Sequence, residues 1–269
     1  MRLTVPRFAR RAAGPARAAR PARPALFPMV VVCWSMAAAT RVSPQAPATT
    51  GESILRAMHD RYAATWYHTL TFTQRTTLRS PADTMVIETW REKAMLPGRL
   101  RIDLERATGP MAYIFANDST FVVRGDSVRR LAGGNYLLTI GFDVYVQPVE
   151  RTLASLRAEH FTMAPVHEDT WNGRPVYVIG AAPGDLHSRQ LWIDKERLLY
   201  VRSLAPAGQD SSKTSDTRFD NYVRLPSGGW LSEKVEFYTD GKLRQREEYS
   251  DVRTDVPLDA SLFVPPAGR

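Results

Sequence analysis

The sequence predicts an α+β fold that is mostly antiparallel β, and three observations support this prediction. Strand candidates recur about every ten to fifteen residues over most of the chain. Dipeptides suited to tight antiparallel turns stand between several of these candidates. One amphipathic helix precedes the strands, and one short helical segment interrupts them. This order is typical of an antiparallel meander and not of the alternating strands and helices of a βαβ fold.

Residues 1–48 are predicted to be an export signal and a short flexible leader. An arginine-rich start is followed by an apolar stretch at 26–36 and by three alanines at 37–39, which is the order found in secretory signals. Cleavage is expected after Ala39 or after Ala48, since both positions fit the small-residue pattern. The apolar stretch is too short and too interrupted for a transmembrane helix. A disordered basic tail on a cytosolic protein is the alternative.

Residues 49–269 are predicted to form a single domain without net charge. The whole chain has a formal charge of +8, but residues 1–41 hold eight arginines and no acid, so the remainder carries 28 basic and 28 acidic residues. A neutral domain lacks the positive field of a nucleic-acid binder, which argues against DNA or RNA as a partner. Because Cys33 is the only cysteine, the exported chain would form no disulfide and hold no cysteine-bound metal.

Two helices are predicted from apolar residues at helical spacing. The first begins shortly after Thr49, with Glu52 near its positive end. Its apolar face consists of Ile54, Leu55, Met58, Tyr62 and Trp66. The second helix is short and begins at Pro148, a residue favoured in the first helical turn. Its apolar residues are Val149, Leu153 and Leu156.

The strand candidates combine β-branched and aromatic residues with a two-residue alternation. They lie at residues 70–78, 85–95, 100–104, 113–115, 121–123, 176–181, 190–194, 198–204, 217–224, 231–238 and 243–249. The turn dipeptides, whose residues tolerate a positive φ angle, are Asn117-Asp118, Gly125-Asp126, Gly228-Gly229 and Asp240-Gly241. Alternating apolar and charged residues are typical of sheets with one face in water.

The sequence contains no recognisable catalytic or cofactor-binding motif. The glycine-flanked serine of acyl-transfer enzymes and the glycine-rich loops of nucleotide and dinucleotide sites are absent. None of the histidines has the spacing of a metal-binding pair: His59, His68, His160, His167 and His187. Glu247 and Glu248 are adjacent carboxylates, but neighbours in a strand point to opposite faces. We therefore expect no catalytic residue, no metal and no cofactor.

Large apolar side chains are abundant beyond the leader. Of the 26 aromatic residues, 23 lie after residue 41. A twisted sheet backed by one or two helices places many of them in its concave face, which can either pack solid or leave an apolar cavity. Composition leaves both outcomes open, and a closed core is the rule in well-packed interiors.

Several short motifs carry a family resemblance through their order and spacing. They are Phe72-Thr73-Gln74, Trp90-Arg91-Glu92, Pro97-Gly98-Arg99-Leu100-Arg101, Asn117-Asp118 before Phe121-Val122-Val123, Trp171-Asn172-Gly173-Arg174-Pro175-Val176-Tyr177-Val178, Leu191-Trp192-Ile193-Asp194-Lys195 and Asp259-Ala260-Ser261-Leu262-Phe263-Val264-Pro265-Pro266. Together they resemble the periplasmic lipoprotein-sorting carriers of the LolA/LolB-like superfamily over nearly all of residues 52–266.

This resemblance implies a curved, incomplete antiparallel β-barrel that is lidded by short helices and holds acyl chains in its apolar interior. One position departs from the pattern. The lipoprotein carriers proper have an arginine just before the proline of this region, where it helps to couple lid opening to cargo, whereas this chain has Leu96 before Pro97. The resemblance therefore implies a divergent member that binds another lipid or serves as a sensor.

The strand alternation, taken with the resemblance, predicts which side chains line the cavity. The sheet residues assigned to the lining are Phe72, Trp90, Leu100, Ile102, Phe121, Val176, Val178, Trp192, Phe219, Val235 and Phe237. The helix residues assigned to the inner face of the lid are Leu55, Met58 and Tyr62. Burial of each methylene group of an acyl chain is worth about 0.8 kcal/mol, so this kind of binding needs no catalytic group.

The expected function is that of an exported, periplasmic, non-catalytic protein that binds the acyl chains of a lipoprotein or lipid and serves outer-membrane lipoprotein sorting. A protein of the inner or outer membrane is an expected partner, and the chain is expected to be a monomer. Two alternatives stay open. One is an envelope-stress or lipid sensor that regulates a membrane partner, and the other is a hydrolase of envelope polymers, which would need an open cleft lined by carboxylates.

Overall fold

The computed structural model describes residues 49–80, 82–106, 109–116, 118–208 and 210–267, and these residues belong to one compact unit of the chain. The predicted export signal, with Cys33 and both cleavage positions, lies outside the described residues. Asn117 of one predicted turn also lies outside them.

The described residues form one open, curved sheet of thirteen strands, with three α-helices on one of its faces. The strands are β1 (Thr69–Arg79), β2 (Met85–Met95), β3 (Arg99–Arg106), β4 (Gly109–Ala116), β5 (Ser119–Arg124), β6 (Ser127–Leu131), β7 (Val166–Trp171), β8 (Arg174–Ile179), β9 (Gln190–Asp194), β10 (Tyr200–Ala207), β11 (Asp210–Arg224), β12 (Trp230–Thr239) and β13 (Lys242–Thr254). The helices are α1 (Gly51–Tyr62), α2 (Tyr136–Gly141) and α3 (Val149–Ala158), with 3₁₀ turns at Asp143–Tyr145 and Ala260–Phe263.

The strands follow one another as two meanders that meet at the centre of the sheet. β1 pairs with β13, β2 to β6 continue outward on one side, and β12 to β7 continue on the other. Every neighbouring pair is antiparallel. In the described part of the chain β6 and β7 are edge strands that do not pair with each other. The α+β class and the incomplete barrel are therefore confirmed.

Turn chemistry explains two of the hairpins. Asp240 and Gly241 have φ angles of 47° and 69°, and Asn172 and Gly173 have φ angles of 49° and 75°. Two consecutive residues with positive φ make the type I′ turn, whose twist matches that of the flanking strands. These dipeptides therefore set the register of the β12–β13 and β7–β8 hairpins.

Helix α1 begins at a reciprocal cap. The Ser53 backbone N–H donates to the Thr50 hydroxyl at 3.1 Å, and the Thr50 backbone N–H donates to the Ser53 hydroxyl at 2.9 Å. The helix ends at Tyr62, four residues before the predicted Trp66. Trp66 instead follows in a turn, where it is buried and stacks on Tyr145 with ring centroids 3.8 Å apart.

Removal of this cap gives a first test of the fold. Thr50→Ala leaves the Ser53 N–H without its acceptor, and loss of an N-cap hydroxyl costs about 1 kcal/mol of folding free energy. Urea unfolding followed by circular dichroism measures this loss. Thr49→Ala changes an exposed threonine outside the cap and serves as the control. Equal losses for the two variants would contradict the role of the cap.

The helices differ in how well the sequence indicates them. α3 follows Pro148 directly and buries Val149, Leu153 and Leu156, as predicted. α2 was not predicted, because six residues are too few to show a helical period. It is capped by Asn135, whose side-chain oxygen accepts hydrogen bonds from the N–H groups of Leu137 and Leu138 at 3.0 and 3.2 Å.

The main core lies between the three helices and the sheet. We call this side of the sheet its inner face and the opposite side its outer face. Helix residues Leu55 and Met58 and sheet residues Leu70, Leu191 and Val235 are all fully buried there. The inner face thus contains both the core and any cavity that the helices cover.

Candidate functional site

An apolar cavity of about 140 Å³ lies on the inner face, beneath α2. It is lined by Leu70, Phe72, Glu92, Ala94, Leu100, Ile102, Asn135, Leu137, Leu138, Phe142, Phe219, Val235, Phe237, Glu247 and Tyr249. A dry cavity of roughly 150 Å³ lined by aliphatic and aromatic residues is large enough to bind benzene. This cavity can therefore hold a ring or a short piece of hydrocarbon as it stands.

Six of the predicted lining residues meet at this cavity. They come from strands β1, β3, β11 and β12, which are distant in sequence: Phe72, Leu100, Ile102, Phe219, Val235 and Phe237. The strand register explains the meeting, because residues opposite each other in an antiparallel pair point to the same face. Phe219 lies opposite Val235 in the β11–β12 pair.

The predicted residues of β8 and β9 lie on the outer face instead. Val176, Val178 and Trp192 form a separate buried cluster there, where Trp192 meets Trp171 at 5.8 Å between ring centroids. The Arg202 guanidinium lies 4.7 Å from the Trp192 ring centroid and covers it. A two-residue period leaves the choice of face open. On β8 and β9 the residues next in sequence to the predicted ones occupy the inner face instead.

Two further predicted residues also lie away from the cavity. Phe121 lies opposite Ile114, and Ile114 lies opposite Arg101. Because residues opposite each other share a face and Arg101 is on the outer face, Phe121 is on the outer face too. Trp90 is on the inner face but beyond the cavity, and its indole N–H donates to a Glu88 carboxylate oxygen at 2.8 Å.

The cover of the cavity is α2 and not α1. The structure places Leu55, Met58 and Tyr62 of α1 in the packed core, where the Tyr62 hydroxyl donates to the Arg197 carbonyl oxygen at 2.6 Å. Leu137 and Leu138 of α2 line the cavity. The helix nearest the N-terminus is thus a structural element.

Two buried carboxyl groups at the cavity were missed in the sequence. Glu92 and Glu247 are only 7% and 8% exposed, and both line the cavity. Tyr249 donates its hydroxyl to Glu247 Oε2 at 2.7 Å, and the Gln245 side-chain amide donates to Glu247 Oε1. Burial raises the pKa of Glu247 to about 7. Burial, together with the charge of Glu247, raises the pKa of Glu92 well above its usual range.

One hydrogen bond ties the covering segment to the β2–β3 turn. The Gly98 backbone N–H donates to Asp143 Oδ1 at 3.0 Å, and Asp143 directly follows the cavity residue Phe142. Burial raises the pKa of Asp143 to about 7. Leu96, which stands where the lipoprotein carriers have arginine, is itself buried. In this chain the contact between the β2–β3 turn and the covering segment is a hydrogen bond from a backbone N–H to a carboxyl group.

The Asp143 contact can be tested without disturbing the cavity lining. Asp143→Ala removes the acceptor of the Gly98 N–H, so we expect amide hydrogen exchange in residues 136–147 to be about tenfold faster while α1 stays protected. Asp118→Ala is the control, because it breaks the exposed Asp118–Arg151 ion pair nearby and leaves Gly98 paired. Unchanged exchange in Asp143→Ala, or an equal change in both variants, would refute the contact.

A second pocket of about 310 Å³ adjoins the cavity and shares Asn135 and Leu138 with it. Its wall is mixed, with Phe115, Ala154 and Ala158 beside the Asp118–Arg151 ion pair. The neighbouring pocket therefore offers space into which a longer ligand could extend past α2.

The described residues contain neither a metal-binding cluster nor a helix that could span a membrane. Within the ranges given above, no group of three or more histidine, cysteine, aspartate or glutamate residues is arranged to hold a metal ion. No helix in these ranges is both long and apolar enough to cross a membrane.

The architecture is that of an open antiparallel sheet wrapped around a helix-covered apolar cavity. The chain is similar to a domain from Vibrio parahaemolyticus that is named for outer membrane lipoprotein sorting, with 15% identity, a TM-score of 0.57 and coverage of 80% of this chain and 96% of that one. It is also similar to a DUF1329 family protein from Desulfovibrio piger, with 14% identity, a TM-score of 0.55 and coverage of 79% and 95%.

These likenesses confirm the fold that the resemblance implies, an open curved antiparallel sheet covered by helices. At identities of 14–15% they show the fold alone. No protein-family model matches the sequence, and no curated protein matches it.

Proposed function

We propose that the chain is an exported, non-catalytic binding protein that holds the hydrocarbon part of a lipid or lipoprotein in the cavity beneath α2. The observation that carries this proposal is the apolar cavity itself, enclosed by residues of six strands and of the α2 segment. Each methylene group transferred from water into such a site contributes about 0.8 kcal/mol. Outer-membrane lipoprotein sorting is the proposed setting, by analogy with the neighbour named for it.

A full acyl chain needs more room than a cavity of about 140 Å³ provides, so binding requires α2 to move. The features of α2 support this movement. The helix has six residues, and the polar contacts of its segment with the sheet include the Asp143–Gly98 hydrogen bond and one between the Tyr136 and Ser203 hydroxyls at 3.2 Å. Displacement of α2 would join the cavity to the neighbouring pocket.

Hydrolysis of envelope polymers is disfavoured by the same geometry. Such an enzyme needs carboxylates in an open cleft that admits a polymer and water. Glu92 and Glu247 instead lie in a small, covered and mainly apolar space. The cavity thus supports binding over hydrolysis.

A lipid sensor that regulates a membrane partner is the second candidate. The observation that favours it is an exposed apolar run at the start of β2, where Met85, Val86 and Ile87 are 46%, 43% and 57% exposed. Exposed apolar patches of this kind often mark contacts with proteins or membranes. A photo-crosslinking residue at Val86, tested in cells, should form an adduct with one membrane protein if the chain is a sensor.

Two measurements on the purified protein test the main proposal. Organic extraction and mass spectrometry should recover a co-purified lipid in stoichiometric amount. The protein stripped of lipid should bind the uncharged fluorescent probe N-phenyl-1-naphthylamine and release it when lipid is added. Protein that is empty on isolation and never binds the probe would overturn the proposal.

A further inference from the structure

The Glu92 carboxyl is the least compensated acidic group in the protein interior. Buried Asp194 pairs with Arg174 and Arg197, and buried Asp216 pairs with Arg202 and Arg218. Among the described residues Glu92 has no hydrogen bond and no ion pair, and it is only 7% exposed, through oxygens that open onto the cavity. A buried carboxyl without a partner costs free energy, and an exception of this kind calls for an explanation.

Strand register directs Glu92 into the cavity. In the β1–β2 and β2–β3 pairs Glu92 lies opposite Phe72 and Ile102, and both of these residues line the cavity. In the β12–β13 pair Glu247 lies opposite Val235, another lining residue. The two carboxyls therefore open onto one apolar space from two different strands.

Nothing in the cavity wall neutralises this pair. The lining contains no lysine, arginine or histidine. Glu247 receives hydrogen bonds from Tyr249 and Gln245, whereas Glu92 receives none from the described residues. Burial raises the pKa of Glu247 to about 7, so the pair retains a proton near neutral pH. A positively charged donor at this place would instead favour the ionised form of both carboxyls.

We propose that Glu92 and Glu247 form the polar end of the binding site and receive the ammonium group of a ligand whose remaining part is hydrocarbon. An aliphatic primary amine is the simplest ligand of this class. This inference rests on the proposed function and names the chemistry of its ligand. A charge-assisted hydrogen bond from the ammonium group to the Glu92 carboxylate is strong in an apolar site, and the negative charge of Glu247 on the same cavity adds to the attraction. A fatty acid carboxylate would instead face repulsion from the pair.

The size of the two spaces agrees with this orientation. The 140 Å³ cavity accommodates an ammonium group and a few methylene groups against Phe72 and Val235. The rest of the chain passes Leu138 into the neighbouring 310 Å³ pocket. The hydrocarbon tail thus leaves the cavity on the side of α2.

Displacement of bound N-phenyl-1-naphthylamine from the lipid-free protein tests the inference. Dodecylamine, dodecanol and dodecanoate share one chain length and differ only in the head group. Each is titrated below its micelle concentration at pH 7.5. We expect dodecylamine to displace the probe at a concentration at least tenfold lower than dodecanol, and dodecanoate to be the weakest competitor.

Two nearly isosteric variants identify the groups responsible. Glu92→Gln and Glu247→Gln keep the shape of each side chain but cannot take on a negative charge, and each should reduce the preference for amine over alcohol at least tenfold while dodecanol still displaces the probe. Glu248→Gln is the matched control, because Glu248 is the neighbouring carboxylate on the outer face, half exposed and paired with Arg75. Its preference should equal that of the parent protein. Thermal melting confirms that each variant is folded.

The outcomes separate this inference from the proposed function. Equal displacement by all three compounds, or an amine preference that survives both glutamine variants, overturns the ammonium site and leaves hydrocarbon binding intact. Absence of probe binding in the parent protein overturns both. If a glutamine variant does not fold, the parent protein is tested instead. Calorimetry in two buffers measures whether amine binding releases a proton, and release of no proton contradicts the site.

Discussion

Replacement of Ala94 by phenylalanine is expected to abolish ligand binding while the protein stays folded. Ala94 lies on β2, is 2% exposed and forms part of the cavity wall. The added ring is about the size of benzene, so it fits a cavity of about 140 Å³ and fills the proposed binding space. We expect the affinity for N-phenyl-1-naphthylamine to fall at least tenfold. Because the ring fills a void, the melting temperature should stay the same or rise.

Val178→Phe is the matched control for this experiment. Val178 is fully buried in the outer-face cluster and does not line the cavity beneath α2. Enlargement of a well-packed position costs about 1–3 kcal/mol of stability, so this variant should melt lower but bind the probe normally. The account would be contradicted if Ala94→Phe bound the probe like the parent, or if Val178→Phe lost binding to the same extent.

The second large effect concerns how stability depends on pH: the free energy of unfolding is expected to fall, not rise, as the pH rises towards neutral. Glu92, Glu247 and Asp143 all have raised pKa values because they are buried. A raised carboxyl pKa means that the folded protein holds the proton more tightly than the unfolded chain does. The free energy of unfolding therefore falls as pH rises from about 4.5, the ordinary pKa of Glu247, through about 7. A shift of one pKa unit between the unfolded and folded states is worth about 1.4 kcal/mol. The raised pKa of Glu247 therefore accounts for roughly 3 kcal/mol of this loss.

The ion-paired acids make the free energy of unfolding rise with pH, but they do so over a lower pH range. Arg174 and Arg197 hold the pKa of Asp194 at about 2, against burial, which acts to raise it. The stability that this low pKa contributes is complete above the ordinary aspartate pKa of about 4 and is lost only in acid. Asp194 therefore does not mask the fall in stability near neutral pH.

Urea unfolding of the lipid-free protein at intervals between pH 5 and pH 8 measures this dependence. The parent should lose stability over the range, whereas the combined variant Glu92→Gln, Glu247→Gln should show a much shallower slope. Asp194→Asn is unsuitable as a control, since it breaks two ion pairs, and Glu248→Gln on the outer face serves instead. A parent protein whose stability rises from pH 5 to pH 8 would show that these carboxyls are not buried as described.

Much of the fold could be predicted because its signals are local. Asp240-Gly241 and Asn172-Gly173 specify hairpins through their positive φ angles. Pro148 with three apolar residues at helical spacing specifies α3. The six-residue helix α2 escaped prediction because its stability comes from the Asn135 cap and from burial of Leu138, and neither produces a period in the sequence.

The site was harder to predict than the fold, because alternation tells which residues share a face but not which face is inner. On β12 the prediction chose Val235 and Phe237, which line the cavity. On β8 and β9 it chose Val178 and Trp192, whereas Ile179 and Ile193 belong to the main core. The choice depends on which side of the sheet the helices cover, and that is a tertiary property.

The carboxyl pair had one signal in the sequence. Glu92 interrupts an alternation in which Trp90 and Ala94 share its face, so a charge stands at an apolar position. Glu247 was compared only with Glu248, its chain neighbour. Glu92, the other carboxyl that lines the cavity, is 155 positions away in the chain and reaches the same cavity only because β1 lies between β2 and β13.

Photolabelling tests the central claim most directly, because it reports where hydrocarbon lies in the folded protein. A long-chain alcohol that carries a diazirine is bound to the lipid-free protein, activated by light and mapped by mass spectrometry of peptides. The account predicts saturable labelling of peptides that contain Phe72, Leu137 or Val235, and loss of that labelling in Ala94→Phe. Labels confined to peptides of the outer-face cluster around Val178 and Trp192, or labelling that excess dodecanol does not reduce, would contradict the account.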